Sequence, residues 1–523
     1  MTRSWLPLLS NFFNDIRLNL PSISTDSKLN ELCQLLGRSP KLSGGSVGLY
    51  RVHKNTVMAG HEVKLYFGDF KSLQRVNRSR LDCLDSLALV NPDNIPLDCY
   101  PRNLNKLTVK YGMTHLMDDH VKELPACATV ILLTNSNVVI IPSTVTHLTL
   151  SPHSVVNWLD VPAGWIPESV TYLKFEMPYR AVFHPDSIPE RVVHFEMPDF
   201  IMMMVGAKLP LSIKTLRVSK NLSLLNLPPN VETLIFPSQY FQSITCELPR
   251  SITSLEFEKG FTQHVSVELP PNLQRLDIGG AELAHHFIPP LVNTIRIGID
   301  GLLDHFPEHL ESLTLSDHFD QRLQAGSLPQ SLTSLTFGKQ FNQELKDMVL
   351  PRRLVNLKFG ENFDKELHKP GTLPGTLKVI KFGGKFNCKL PVGTIPASVT
   401  RISFGGMFNR DLMEGWAPSL RKLVLSYGFN SFGPHCIPPT VEKLWLQMST
   451  RLPAIDGIPF GHMKNVRTIK HCNHTVYIRR ISNTSLLFLA KQSLNCGFLN
   501  LDKGDNTNVL GILSSVFNPL PPD

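Results

Sequence analysis

The residues whose types suit metal binding or catalysis are scattered along this chain. His471, Cys472 and His474 form the tightest group of metal-ligand types. A structural zinc site usually takes four ligands in two separated pairs, and no second pair lies near them in the sequence. His285 and His286 are no better supported, and the sequence has no glycine-rich phosphate loop of the GxxxxGK or GxGxxG kind. We therefore expect no metal, no cofactor and no catalytic residues, and we predict that the chain is not an enzyme.

The composition is that of a mildly basic chain with evenly spread charge. Its 523 residues include 52 Lys and Arg against 44 Asp and Glu, a net charge of +8. Dense basic runs are missing, so the charge does not favour nucleic acid as a partner. The nine cysteines are an odd number without a CxxC pair, which favours a reduced, intracellular environment. We find no signal-peptide core and no apolar stretch of membrane length, and expect a cytoplasmic location without membrane contact.

A short apolar pattern recurs along most of the chain. It reads apolar, two polar, apolar, one polar, apolar, and is clearest at residues 332–337 and 354–359. In most units a proline such as Pro329 or Pro351 precedes the first apolar residue by two or three positions. That first residue is Leu84 in the first unit and Val466 in the last, so 382 residues span 18 intervals with a mean period of about 21. The sequence therefore predicts about 19 repeats.

The alternation at the end of each unit predicts a short strand with one buried face. Such strands are stable only when neighbouring repeats stack into a continuous parallel sheet, and the proline lies before the strand, where its missing N–H costs no ladder bond. A repeat of about 22 residues has no room for a long return helix, so we expect extended or 3₁₀ return segments. The predicted fold is a leucine-rich-repeat-like solenoid with a curved parallel sheet and terminal caps.

A phenylalanine follows most of the central and C-terminal strands by four residues. We expect these rings to stack as an aromatic spine in the core, and the Asn or Asp beside them to bond backbone at the turn. Phe241 and Phe261 occupy the same place without the Asn. A glycine at the strand end, as at Gly338 and Gly360, is interpreted as a turn residue. The spine has these members: Phe319, Phe341, Phe363, Phe386, Phe408 and Phe429.

With these motifs the chain resembles the FNIP repeat family of social amoebae and giant viruses of amoebae. The resemblance rests on residues 328–343, which read Leu-Pro-x-Ser-Leu-Thr-Ser-Leu-Thr-Phe-Gly-x-x-Phe-Asn-Gln, and on residues 393–400. It is strong over about 302–446 and weaker over 101–301. The family implies leucine-rich-like repeats, in some viral members an F-box ahead of them, and in part calmodulin binding. Residues 1–75 show no convincing F-box.

The flanks lack the repeat period. Residues 1–75 carry one helix-like stretch at 25–37 and are predicted to be a cap. Residues 76–472 form the solenoid, and residues 473–523 form a C-terminal cap with a frayed Pro-rich tail. This division is based on the loss of periodicity alone.

The solvent-facing positions of the sheet are where a partner would bind. The repeat frame assigns one such position to the residue between the last two apolar residues of each unit. Along the chain this position holds Leu132 early, acidic residues in the middle (Glu196, Glu256 and Asp277, with Glu258 nearby) and basic residues late. The late stripe fits an acidic protein surface, although an ordinary solvated face has the same composition. The predicted partner-binding residues are Lys358, Lys381, Arg401, Lys422, Lys443 and Trp445.

Three functions remain open from the sequence. The first is a non-catalytic protein–protein interaction scaffold with an unknown, acidic partner. The second is a substrate-recognition adaptor of a ubiquitin ligase, which needs an F-box-like fold within residues 1–75. The third, implied by the family resemblance, is calmodulin binding. Calmodulin usually grips an amphipathic helix, which a sheet face does not offer.

Overall fold

A computed structural model describes most residues between 102 and 447, together with strand backbones on either side. The continuous stretches are 102–110, 122–133, 139–151, 158–176, 179–283, 288–298, 306–345, 349–367, 372–426 and 436–447. The remaining described residues are the strands at 45–47, 61–65, 86–90, 468–471, 474–482, 485–490 and 496–500, and residues 97, 100, 429, 431, 433 and 465. The predicted helix at 25–37 lies outside the described residues.

The chain divides into two compact units. The first comprises residues 1–255 and 265–270, and the second residues 256–264 and 271–523. Strands β16 (Ser254–Phe257) and β17 (His264–Val265) include residues of both units.

The first unit is a stack of short parallel strands. Ten of them, β1 to β4, β6, β8, β10, β12, β14 and β15, pair in parallel in that order. The strands of this unit are β1 (Gly45–Val47), β2 (His61–Leu65), β3 (Ser86–Val90), β4 (Lys106–Lys110), β5 (Lys122–Glu123), β6 (Thr129–Leu133), β7 (Val139–Ile140), β8 (His147–Ser151), β9 (Leu159–Val161), β10 (Tyr172–Phe175), β11 (Arg180–Phe183), β12 (His194–Glu196), β13 (Phe200–Met203), β14 (Thr215–Arg217) and β15 (Thr233–Phe236).

The return segments of the first unit are partly strands as well. β9, β11 and β13 form a separate three-stranded parallel sheet, and β5 pairs with β7. A 3₁₀ turn spans Leu224–Asn226. These are the extended and 3₁₀ return segments that the repeat length predicts.

The second unit continues the same strand pattern. β18 and β20 to β28 pair in parallel, and β28 to β31 then pair in antiparallel order. The strands are β18 (Arg275–Asp277), β19 (Glu282–Leu283), β20 (Thr294–Arg296), β21 (Ser312–Thr314), β22 (Ser334–Thr336), β23 (Asn356–Lys358), β24 (Val379–Lys381), β25 (Arg401–Ser403), β26 (Lys422–Ser426), β27 (Lys443–Gln447), β28 (Thr468–His471), β29 (His474–Ser482), β30 (Ser485–Ala490) and β31 (Cys496–Asn500).

The predicted fold class, a leucine-rich-repeat-like solenoid with one short strand per repeat, is confirmed by this order and register. Two further parallel strands, β1 and β2, precede the first repeat that the sequence pattern reveals. The division into 1–75, 76–472 and 473–523 stays a prediction. The change from parallel to antiparallel pairing after β28 falls at the predicted start of the C-terminal segment.

Most of the described repeats have a turn at the predicted proline before the strand. The carbonyl of Pro329 accepts a hydrogen bond from the N–H of Leu332 at 3.3 Å, and Pro351 and Leu354 repeat the contact at 3.2 Å. A hydroxyl beside this turn also links consecutive repeats: Ser331 Oγ donates to the Leu310 carbonyl at 2.7 Å. Proline therefore sets the chain direction without removing a donor from the sheet.

The phenylalanine spine is present in the second unit. Phe341 stacks on Phe319 at 6.0 Å between ring centroids and on Phe363 at 6.0 Å, and the stack continues to Phe429. The strand-ending Phe337 and Phe359 form a second stack that contacts the first at 4.0 Å. All these rings are buried, so the aromatic residues fill the core and do not face a ligand.

The repeat frame misplaces several residues. Phe241 is 57% exposed, and the neighbouring Tyr240 takes the core place, with its hydroxyl donating to the Leu222 carbonyl at 2.7 Å. Leu132 is buried instead of solvent-facing, because Cys127 rather than Ala128 begins that repeat and Ile131 points outward. Asp277 is also buried, although the frame marks its position as solvent-facing, and Arg217 and Val424, at the same position of their strands, are buried too.

The Asn or Asp after four of the phenylalanines, Phe319, Phe341, Phe363 and Phe386, accepts a hydrogen bond from the backbone of the following repeat. Asp320 Oδ1 accepts from the N–H of Asn342 at 2.8 Å, and Asn342 Oδ1 accepts from the N–H of Asp364 at 2.9 Å. Asp364 and Asn387 extend the ladder. A short acceptor is thus required once per repeat, since each side chain satisfies a backbone donor one repeat away.

Candidate functional site

Two rows of side chains face outward on the parallel sheet of the second unit. In each strand the second residue, such as Leu357 or Ile380, is buried, so the first and third residues point to the other side. Register pairing aligns the first residues into one row and the third residues into another. We call them the first-residue row and the third-residue row; all the predicted partner-binding residues belong to one or the other.

A groove of about 1140 Å³ runs beside the third-residue row of this unit. Lys358, Lys381, Lys422 and Trp445 line it, and so does Arg296 near the other end. The strand-end glycines leave it without side chains at several repeats. We call this feature the lysine groove, and these are its glycines: Gly298, Gly338, Gly360, Gly383 and Gly405.

These glycines are required by the packing of one repeat on the next, not by a turn. A Cβ on Gly360 would lie 1.6 Å from the carbonyl oxygen of Gly338, and one on Gly383 would lie 1.7 Å from that of Gly360. Neither residue has a left-handed φ. The interpretation as turn residues is therefore wrong for them. The same close approach keeps the groove open.

Like charges oppose one another directly along both rows. Lys358 and Lys381 are register partners on β23 and β24, and both are exposed. In the first-residue row Arg401 faces Lys422, and Lys422 faces Lys443. Among the described residues no carboxylate forms an ion pair with Lys358, Lys381, Arg401 or Lys443. Neighbouring strands lie ~4.8 Å apart, so these cations raise each other's electrostatic energy.

Lys422 and Trp445 join the two rows at one end of the groove. The Lys422 ammonium lies 3.5 Å from the centroid of the Trp445 ring, a cation–π contact between adjacent strands. Both side chains are half-buried. One face of Trp445 is therefore covered by this contact, and the ring acts as a support for the Lys422 charge.

The opposite end of the groove has its own balanced charges. Asp317 accepts from Lys259 at 2.6 Å and from Lys339 at 3.2 Å, and all three line the groove. The Lys259 hydrogen bond, followed by the Lys339 bond, lowers the pKa of Asp317 against the effect of burial. Asp277 lies 3.4 Å from Arg296. Desolvation by burial raises the pKa of Asp277. The cations Lys259, Lys339 and Arg296 thus have carboxylate partners at this end, whereas Lys358, Lys381, Arg401 and Lys443 form no ion pair within the described part of the chain.

The structure thus brings together four of the six predicted residues and places two beside them. Lys358, Lys381, Lys422 and Trp445 line the groove, whereas Arg401 and Lys443 lie in the first-residue row outside its lining. Sequence reasoning missed Lys259, Asp317 and Lys339. Asp317 and Lys339 lie two residues after the strand-ending apolar position, where the repeat frame had been used only to mark turns.

The predicted acidic residues do not form one cluster. Glu196 belongs to the first unit, where it accepts from Lys174 at 3.0 Å, from Tyr172 at 3.0 Å and from His194 at 3.2 Å. The His194 bond, with those from Lys174 and Tyr172, lowers the pKa of Glu196 to about 2. Glu256 belongs to the second unit, and burial together with the nearby Asp277 charge raises its pKa.

The described residues show neither a metal-binding cluster nor a membrane-spanning helix. The described residues contain no group of three or more His, Cys, Asp and Glu side chains placed to hold a metal ion. The side chains of the His471–His474 segment lie outside the described part. Within the described parts of the chain, no helix has the length and apolar character to span a bilayer.

Comparison with known proteins concerns the repeat and not a partner. The FNIP Repeat family model matches residues 302–340 and 341–385, which confirms the resemblance found in the sequence. No curated protein matches the chain. Among solved structures, CroV588, described as a novel circular LRR protein, shares 20% identity at a TM-score of 0.40, over 82% of this chain and 79% of its own. The leucine-rich repeat-containing protein LegL7 from Legionella pneumophila shares 15% identity at 0.22, over 54% and 90%. At these TM-scores the likeness carries no argument, and the fold assignment rests on the strand register of this chain.

Proposed function

Because the chain carries FNIP repeats in a leucine-rich-repeat-like solenoid, we propose that it is a non-catalytic protein-interaction scaffold whose lysine groove binds an acidic segment of a partner protein. The observation that carries the proposal is the direct opposition of like charges on adjacent strands. Arg401, Lys422 and Lys443 follow one another in register, and Lys358 and Lys381 do so in the next row.

The opposed cations weaken the sheet that holds them. Two unit charges at about 4 Å repel by about 1 kcal/mol in water, and salt reduces this further. None of the five side chains is needed to fill the core, since all lie on the outward face. A bound carboxylate would relieve the repulsion, so an acidic ligand stabilises an arrangement that is unfavourable without it.

The length of the groove suits an extended segment. Nine strands from β18 to β27 at ~4.8 Å spacing span roughly 38 Å, which an extended peptide of about 12 residues covers. Lys358, Lys381, Arg401 and Lys443, which form no ion pair among the described residues, lie on β23 to β27. We therefore expect the acidic part of the ligand to lie over these strands.

Other functions have less support. The adaptor hypothesis needs an F-box-like fold in residues 1–75, and their described part consists of the backbones of β1 and β2. Calmodulin binding usually needs an amphipathic helix, and the described residues contain no α-helix to supply one. No specific observation favours either of them over the scaffold.

The test is binding of a fluorescein-labelled oligo-glutamate peptide of about 12 residues to the full chain, followed by anisotropy. The variant Lys422→Glu/Lys443→Glu reverses two adjacent charges of the first-residue row, one of which lines the groove. The matched control Arg352→Glu/Arg353→Glu makes the same change in net charge at two exposed residues of a proline turn outside the groove lining. We expect the first variant to lose at least about ten-fold in affinity at low salt and the control to lose much less.

Equal losses in the two variants would show that the peptide responds only to net charge, and would overturn the groove assignment. A single-stranded DNA of matched charge provides the second arm. Tighter binding of the DNA than of the peptide, with the same dependence on Lys422 and Lys443, would make nucleic acid the ligand and refute the acidic-protein proposal.

A further inference from the structure

The return-side sheet of the first unit has an outward face that is unusually apolar. One face of β9, β11 and β13 is buried and includes Ala181 and Phe183. A sheet covered on one face normally presents polar residues on the other. Here the outward positions include Phe200, Val182 and Met202, and Trp158 precedes β9.

The apolar side chains on and beside this outward face are exposed to solvent. Trp158 is 40% exposed, Met202 51% and Phe241 57%. Phe200 and Phe241 contact each other at 5.8 Å between ring centroids, and strand register places Met202 beside Val182 on the same face. Contiguous apolar surface of this kind marks interaction sites, and Trp, Phe, Met and Arg are the residue types enriched there. We call it the aromatic face.

A single arginine lies at the centre of this face. The Arg180 guanidinium carbon lies 5.9 Å from the Trp158 ring centroid and 5.3 Å from that of Phe200. The two rings hold the planar guanidinium between them, which limits its freedom before any partner arrives. Its N–H groups remain the natural donors to a carboxylate.

The other charged side chains of the aromatic face have hydrogen-bonding partners on the same face. Lys220 lies over Phe200 at 5.6 Å and forms an ion pair with Asp199 at 3.0 Å. His184 lies 2.7 Å from Asp160. Within the described part of the chain, Arg180 has no carboxylate partner. The face therefore combines exposed apolar area with one pre-positioned cation whose charge is not balanced.

We propose that the aromatic face is a second docking surface, and that its occupant is an amphipathic helix of a partner protein with a carboxylate beside its apolar stripe. Three strands at ~4.8 Å spacing present a surface about 10 Å wide, which is the width of one α-helix. The apolar stripe covers Met202 and Val182, and the carboxylate pairs with Arg180.

Other occupants fit the same surface less well. Around a two-fold axis through this face, a second copy of the chain would bring Arg180 toward its own counterpart, and like charges would meet. A single-stranded nucleic acid needs free ring faces and several cations, but Arg180 and Lys220 already cover Phe200, and among the described residues of this face Arg180 is the one Lys or Arg without a carboxylate partner.

The experiment presents the full chain to a yeast-displayed library of amphipathic helices with a fixed apolar stripe and randomised flanking residues. The proposal expects enrichment of Asp and Glu beside the stripe. Met202→Glu weakens binding of the enriched helices at least ten-fold, whereas the control Leu225→Glu, at a residue 85% exposed elsewhere in the unit, leaves it unchanged. Arg180→Glu shifts the enriched residues from acidic to basic, and Lys422→Glu/Lys443→Glu has no effect.

Several outcomes would overturn the proposal. Enrichment without an acidic preference, or binding that survives Met202→Glu, would place the helices elsewhere. Two further measurements test the rival occupants directly. Self-association in sedimentation experiments that Met202→Glu abolishes would assign the face to a second copy of the chain, and binding to phosphatidylserine vesicles that the same variant abolishes would assign it to a lipid surface.

Discussion

Replacing Gly360 with alanine tests the physical basis of the repeat. A Cβ at this position would lie 1.6 Å from the carbonyl oxygen of Gly338 and 2.5 Å from its carbon. The nearest atoms belong to backbone of the preceding repeat, which cannot rotate away as a side chain would. The repeat that contains residue 360 must therefore move away from the one before it.

The size of the effect follows from that displacement. The Cβ–oxygen distance must grow from 1.6 Å to at least 3.0 Å, a movement of about 1.4 Å. The N–H of Asn362 donates to the Lys339 carbonyl at 2.8 Å, and that of Asp364 to Asn342 Oδ1 at 2.9 Å. Both distances would exceed 4 Å, outside hydrogen-bond range. Two bonds at about 0.5–1.5 kcal/mol each give a loss of about 1–3 kcal/mol.

The assay must read local opening, because repeat arrays do not always unfold in a single step. Hydrogen exchange followed by mass spectrometry on peptides that contain Asn362 and Asp364 reports the free energy of opening of this repeat. A loss of 1–3 kcal/mol corresponds to protection lowered by about 5-fold to 150-fold. Peptides from the first unit should keep their protection.

The matched control is Gly375→Ala. A Cβ on Gly375 meets nothing within 4 Å, and its φ is not in the left-handed region. Alanine there should change stability little or raise it by about 0.4–1 kcal/mol, through the lower entropy of the unfolded chain. If residues 360–364 show the same hydrogen-exchange protection in Gly360→Ala as in Gly375→Ala, close approach between repeats does not explain the glycine at position 360, and the reasoning is refuted.

Two other predictions concern single contacts. The folded pKa of Glu196, about 2, is below its ordinary value of 4.5, so its stabilisation is complete above the unfolded pKa and is lost as pH falls from about 4.5 toward 2. In the variant Glu196→Gln, the melting temperature should therefore fall less steeply than in the unmodified protein as pH is lowered from 5 to 2. An equally steep fall in both proteins would contradict the Lys174 and His194 contacts. Asn342→Ala removes the acceptor for the Asp364 N–H and should cost about 1–3 kcal/mol in local opening by hydrogen exchange, whereas Asn342→Asp, which keeps the acceptor, should cost less.

The burial of individual residues shows which positions the repeat period predicts correctly and which it does not. Leu332, Leu335 and Phe337 are buried as the apolar pattern predicts, because a stacked repeat buries the same positions every time. The pattern could not distinguish Cys127 from Ala128 as the start of a repeat, since both are small and apolar. The pattern also placed Phe241 in the core. Periodicity carries no information about the Leu222 carbonyl, which accepts a hydrogen bond from the Tyr240 hydroxyl and allows Tyr240 to be buried instead.

The candidate site shows the same limit. The basic residues were evident from their recurrence in the frame, but two rows and one groove became distinct only through strand register. Lys259 and Asp317 are 58 residues apart in sequence and 2.6 Å apart in space. Trp445 was predicted as an exposed contact residue, yet Lys422 covers one face of its ring. Neither relation is encoded in local spacing.

The sequence by itself determined the repeat. A period of about 21 residues, a proline before each strand and a phenylalanine after it specify a stack of short parallel strands, because each unit can bury its apolar side only against the next. The tertiary structure decided which charges meet. Arg180 lies between two aromatic rings, and Lys358 lies opposite Lys381, only because strands from different repeats align in register. A contact between repeats depends on the residues of both repeats, whereas the sequence period describes each repeat by itself.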